Sequence, residues 1–179
     1  YLMFPMMLFW TMKQWLEKAG VSALFGGATN SKAHDYKKRL KAAWDVVKGM
    51  CYLEDMSIMH RDLKPSNIFM KSSAKGCAVI ADFGLARCFT PNARPLTVEV
   101  ITRWYRAPEI LLGSNVYTCA VDLWSAACII VEMANKRAFL TGDSEIDQLH
   151  NIFRVLGTPT DNIWPGLNAL PYWRNSFPQ

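Results

Sequence analysis

Apolar residues recur at helical spacing in some stretches of the chain and run together as short strands in others. From Asp35 to about Asp55, Tyr36, Leu40, Trp44, Val47 and Cys51 fall three or four apart. This predicts one long helix whose apolar stripe, Trp44 included, belongs to the core with the methionines of that stretch. A second helix is predicted from Thr118, its cap, to about Ala134; it is apolar on most sides and therefore buried. A third begins at Ser144 as cap, carries Glu145 and Asp147 where carboxylates favour the positive helix end, and stops before Gly157. Thr11 with Gln14 forms a capping-box pattern for a short helix through Ala19, closed by Gly20. NIFM at 67–70 and AVIA at 78–81 read as two strands joined by the polar turn KSSAKG. Residues 1–4 read as a strand end, Pro5 to Trp10 as a connector, and the Gly/Ser/Asn-rich residues 21–34 as a loop.

Composition narrows the class. At 179 residues, 51% hydrophobic and 20% charged, one folded domain is expected and a disordered chain is not. The net charge of +5 suits acidic partners or phosphates without identifying either. Lys37, Lys38, Arg39 and Lys41 crowd the start of the long helix. They are read as a solvated face, because a nucleic-acid site would need base-stacking aromatics in a groove, so no nucleic-acid partner is expected. Five cysteines, with no CxxC or Cys/His pairing, suggest a reducing compartment and no zinc site. The opening YLMFPMMLFW lacks a basic start and is interrupted by Pro5, unlike a signal peptide. AACIIVEMA at 126–134 is too short to span a bilayer. An intracellular chain, in cytoplasm or nucleus and without a membrane partner, is expected.

The chemistry concentrates in two motifs, HRDLKPSN at 60–67 and ADFG at 81–84, followed in order by TRWYRAPE at 102–109 and DLWS at 122–125. Either triplet HRD or DFG alone would mean little; their ordered set resembles the protein kinases, over nearly the whole chain. Phosphoryl transfer to a hydroxyl needs an acceptor for its proton, a cation on the moving phosphate, and oxygen ligands for Mg²⁺. The resemblance assigns these to Asp62, to Lys64, and to Asn67 with Asp82. ATP and Mg²⁺ are the cofactors it implies.

The same resemblance places the hinge between the two kinase lobes at the start of the chain. Phe4 becomes the gatekeeper, the backbone of Pro5, Met6 and Met7 faces the adenine, and Phe69 lies under it. Trp10 stands near where the family often has an acidic ribose contact. Residues 85–109 become the activation segment, with Thr97 as the activating phosphosite and Arg61 and Arg87 as its bidentate partners. Thr102 is expected to hydrogen-bond Asp62 and Lys64. In the proline-directed kinases the carbonyl at the Ile101 position turns toward an arginine at the Arg106 position. An incoming substrate N–H then lacks an acceptor, and proline loses nothing there. Asp122 is expected to fix the catalytic-loop backbone. Glu109 should lack the arginine that the family supplies from its final helices. GDSEIDQL at 142–149 and LGTP at 156–159 place the resemblance on the cyclin-dependent branch.

The expected architecture is mainly α with a small β-hairpin: a partial kinase domain over residues 1–179, the C-terminal lobe with its N-terminal lobe and final helices absent. The expected function is Ser/Thr phosphorylation of protein substrates, at Ser/Thr-Pro sites, with a cyclin-type activator. The alternative is a truncated, non-catalytic interaction module of kinase type.

Overall fold

In a computed structural model, which describes residues 30–72, 76–88, 103–115 and 118–178 (backbone alone for 30–34 and 36), two long helices pack on one another. The first, α1 (Asn30–Asp55), leads through a turn into β1 (Ile58–Met59). Next come β2 (Ile68–Lys71), β3 (Cys77–Ile80), β4 (Arg87–Cys88), the short α2 (Pro108–Leu111), the central α3 (Ala120–Asn135) and α4 (Glu145–Leu156). Single 3-10 turns at Pro65–Asn67, Phe83–Leu85, Arg103–Tyr105 and Leu167–Ala169 join them. The described part is thus mainly helical with two small antiparallel sheets, β1 with β4 and β2 with β3. The expected hairpin lies one residue from its anticipated bounds, in the register Ile68↔Ile80 to Lys71↔Cys77. The proposed strand and helix within residues 1–20 lie outside the described residues.

Helix α3 is buried on nearly every side, through Val121, Trp124, Ala127, Cys128, Ile129 and Val131. Its cap position is Cys119, one residue past the expected Thr118 and without a side-chain cap bond. Thr118 Oγ1 nevertheless accepts from the Ala120 N–H at 3.3 Å, satisfying one of the amides a helix start leaves over. Its end is held from another element. Arg39 donates to the carbonyls of Met133 (2.8 Å) and Ala134 (3.1 Å), where the helix dipole also favours a cation. The solvated-face reading of the basic run is therefore corrected at Arg39, and Lys41 is also engaged, with Asp45 and the Gly76 carbonyl.

The long helix departs from expectation twice. It begins at Asn30, inside the stretch read as loop, because Ser31, Lys32 and Ala33 extend a helix as readily as they form a loop. More consequentially, it buries the other stripe: Ala42, Asp45, Val46, Met50 and Leu53 face inward, while Leu40 (50%), Trp44 (62%) and Cys51 are exposed. Met50, the methionine of that stretch, is core as expected. Distance selects the stripe. A Cβ on Gly49 would lie 2.9 Å from Ile80 Cδ1, so α1 approaches β3 along its small residues, and a Trp on that face would not fit.

Helix α4 is capped as the sequence implies, Ser144 Oγ accepting from the Asp147 N–H at 3.1 Å, and it ends at Gly157 with φ 86°. Gly142 shows why GDSEIDQL opens on glycine: a Cβ there would stand 2.4 Å from the Gln148 backbone nitrogen. Gly142→Ala is expected to lower stability by about 1–3 kcal/mol, the usual range for overpacking. A urea midpoint unchanged from the parent chain would contradict this.

Candidate active site

The catalytic loop follows β1 and is held from below by α3. Asp122 accepts from the His60 N–H (2.6 Å, Oδ2) and the Arg61 N–H (2.7 Å, Oδ1). These two bonds fix a backbone that Arg61 bends to φ 72°, a conformation costly for a side chain with a Cβ. Burial raises the pKa of Asp122, and the two N–H donors oppose the shift. His60 is fully buried. It accepts from the Asp62 N–H at Nδ1 (3.3 Å), so its Nε2 carries the proton and donates to the Ala81 carbonyl at 3.0 Å. Its ring lies 5.0 Å from Phe83, which joins the loop to the ADFG strand end.

Above this support the polar residues converge. Asp62 is buried, and its Oδ2 accepts from Lys64 Nζ at 2.7 Å and Asn67 Nδ2 at 3.1 Å. Asn67 Nδ2 also donates to the Asp62 carbonyl at 2.7 Å. Asp62 Oδ1 is buried and receives no hydrogen bond from the described residues. One oxygen therefore orients the carboxylate, while the other keeps its lone pairs uncommitted to the described residues. With its side-chain nitrogen committed to Asp62, Asn67 has its side-chain Oδ1 left as a ligand atom, distinct from its backbone carbonyl. Asp82 follows β3 at φ 66° with an exposed carboxylate, and the Ala81 N–H donates to the Asn67 carbonyl at 2.9 Å. The hairpin thus brings Asn67 and Asp82 to neighbouring chain ends, two hard oxygen donors of the kind Mg²⁺ takes beside phosphate and water. Phe69 on β2 is exposed (59%).

The hairpin is itself pinned by a residue the sequence reading passed over. Asp45, buried in α1, accepts from the Ala78 N–H at 3.3 Å and pairs with Lys48 (2.8 Å) and Lys41 (3.1 Å). Those two ammonium groups, Lys48 first, hold its carboxyl well below the usual carboxylate range. A carboxylate with lysines four before and three after it was the available signal.

The segment 103–106 is tied down residue by residue. Arg103 donates to the Asp143 carbonyl (3.0 Å) and Trp104 Nε1 to the Gly142 carbonyl (3.2 Å). Tyr105 donates its hydroxyl to Glu132 (2.5 Å) and accepts at its carbonyl from Ser125 Oγ (2.7 Å). Arg106, buried, pairs with Glu145 at 2.7 Å; burial lowers its pKa and Glu145 opposes the shift. Gln148, fully buried, donates to the Trp104 and Leu140 carbonyls. Glu145 thus has a role beyond its helix start, as the counter-ion of Arg106. Met59 pairs with Arg87, which puts Arg87 across a two-stranded ladder from the strand that leads into Arg61. Phe4, Pro5, Met6, Met7, Thr97, Ile101 and Thr102 lie outside the described residues.

Glu109 in α2 has its pKa pushed up to about 7 by burial, with only its own backbone N–H opposing. Its folded pKa lies above the ordinary 4.5, so the stability it contributes is full below about 4.5 and is lost as pH rises through about 7. Glu109→Gln is expected to remove that slope. A thermal midpoint that falls between those pH values equally in both proteins would rule Glu109 out as its source.

This arrangement is that of a protein kinase catalytic loop, and a family model described as protein kinase domain matches residues 13–177. The chain belongs to that family, on its cyclin-dependent kinase-like side. Among solved structures it is similar to the yeast RNA Pol II CTD kinase CTDK-1 complex, at 43% identity and a TM-score of 0.67, over 75% of this chain and 44% of that one. The chain therefore spans less than half the length of that relative. No helix among the described residues is long and apolar enough to cross a membrane.

Proposed function

We propose that this chain is the hinge and most of the C-terminal lobe of a cyclin-dependent-type Ser/Thr protein kinase, and that it supplies the floor of the ATP site. The observation that carries this reading is the divided carboxylate of Asp62, one oxygen held by Lys64 and Asn67 and the other without a donor among the described residues. A substrate Ser or Thr hydroxyl donates to Oδ1 and passes its proton there as its oxygen bonds the γ-phosphorus and the bond to the β-phosphate oxygen breaks. Lys64 neutralises charge on the moving phosphate, and Thr102 lines the substrate groove. Asn67 and Asp82 would hold Mg²⁺, which when bound would supply charge neutralisation at the phosphates. Phe4, Pro5, Met6, Met7 and Phe69 form the adenine side. Ile101 and Arg106 select Ser/Thr-Pro substrates, and a cyclin-type activator is the partner, as in the kinase–cyclin branch the chain resembles. The expected setting is cytoplasm or nucleus.

The test is ATP-dependent transfer to a Ser-Pro peptide, by the 179-residue chain and by the same chain behind an N-terminal lobe carrying a glycine-rich loop and its lysine. The chain alone is expected to transfer nothing measurable, because catalysis here rests on positioning and electrostatic stabilisation from both walls. The joined protein is expected to be active and to prefer Ser-Pro over Ser-Ala. Inactivity of the joined protein would favour a non-catalytic interaction module. Within the active protein, Thr97→Ala is expected to lose activation by its cyclin-type partner while remaining folded. Full activation of that variant would count against Thr97 as the phosphosite and against Arg61 and Arg87 as its receivers.

A further inference from the structure

Opposite the buried face of α1 runs a second stripe that no other described element covers. Leu40 (50% exposed), Trp44 (62%), half-buried Val47 and exposed Cys51 follow one another at intervals of four, three and four residues. That spacing keeps all four within one narrow strip of the helix, the seam along which two helices interlock. Exposed Lys37 and Glu54 continue the strip, three residues before Leu40 and three after Cys51. The only contact to the Glu54 carboxylate among the described residues is a long one from Cys119 Sγ at 3.9 Å.

The strip is complementary to itself in one direction only. About a two-fold axis between residues 45 and 46, Lys37 meets Glu54 of a second copy, Leu40 meets Cys51, and Trp44 meets Val47. Every layer is then apolar on apolar or opposite charges paired. Run parallel, the same strip would set Lys37 on Lys37 and Glu54 on Glu54. Lys41 and Lys48, which flank the strip, are already paired to Asp45 of their own chain at 3.1 and 2.8 Å, so they add little repulsion. We propose that α1 forms an antiparallel, two-fold seam with α1 of a second copy of this chain. From Lys37 to Glu54 the seam is about 26 Å long. That is short for a stable interface, so the dimer is expected to dissociate on dilution through the micromolar range.

Sedimentation velocity of the 179-residue chain over a dilution series tests the state, and three sets of variants test the seam. Trp44→Glu should be monomeric at every concentration, with helix content unchanged because the position is exposed. Lys37→Glu should raise the dissociation constant by about tenfold, and Lys37→Glu with Glu54→Lys should restore it, as expected for a direct charge pair. Leu40→Cys should form a disulfide dimer through Cys51 of the second copy under mild oxidation, and Leu40→Cys with Cys51→Ser should not. A parent chain that stays monomeric throughout would overturn the proposal. This holds whether a soluble quencher reaches Trp44 or residues 1–29 of the same chain shield it. A dimer that survives Trp44→Glu, or one that links Cys51 to Cys51 in the parent chain, would overturn it equally.

Discussion

Asp62→Asn, in the protein joined to an N-terminal lobe, is expected to lower kcat by at least roughly 100-fold with ATP affinity little changed. The substitution is nearly isosteric, so the loop is retained, but the amide cannot take up the hydroxyl proton. The buried Oδ1 loses its purpose first, since a neutral amide there is a far weaker base than a carboxylate. Lys64 and Asn67 also lose the charge they orient at 2.7 and 3.1 Å. Because the effect falls on the reacting proton, kcat and kcat/KM should drop together. Turnover within a few-fold of the parent would remove Asp62 from the base position and with it the reading of the site.

Asp122→Ala should have the largest effect on stability, about 3–5 kcal/mol, from the loss of two hydrogen bonds to a charged acceptor. Two backbone N–H groups, of buried His60 and half-buried Arg61, would each lose an acceptor at 2.6 and 2.7 Å. A hydrogen bond to a charged group contributes about 1.5–3 kcal/mol, so two of them account for a loss of that size. Burial already makes the Asp122 charge costly, which is why its pKa is raised, so the loss arises from stranding the amides. Asp122→Asn, which still offers one oxygen, should retain part of the stability. Urea unfolding at neutral pH measures both. An alanine variant within 1 kcal/mol of the parent would show that the loop holds its φ 72° bend at Arg61 without help from α3.

What could be read from the residues alone divides along a physical line. Caps, turns and the ordered catalytic motifs are local, and Ser144, Gly157 and the hairpin pairing were legible because each depends on a few neighbours in sequence. The face that α1 buries is not local. Two stripes with helical spacing compete there, and the larger side chains of Leu40 and Trp44 made the wrong one look like core. The winner is decided by how closely β3 approaches Gly49, which no periodicity contains. The same limit explains Asp45 and Glu145. A carboxylate in a helix reads as solvent-facing until the Ala78 N–H or the Arg106 guanidinium is brought to it by the fold. In the site, the roles carried by HRDLKPSN and ADFG followed from resemblance, whereas the tether on residues 103–106 emerged only from tertiary contacts.

That tether bears on how substrate preference could be moved between relatives. Every residue from Arg103 to Arg106 has a bonded counterpart, three of them within or before the start of α4 and one on α3. A graft of TRWYRAPE alone would arrive without its Glu145, Gly142 and Gln148, leaving a buried guanidinium without its carboxylate. Exchanged together with GDSEIDQL, the two stretches travel as a single inheritable cassette, although some thirty residues separate them along the chain.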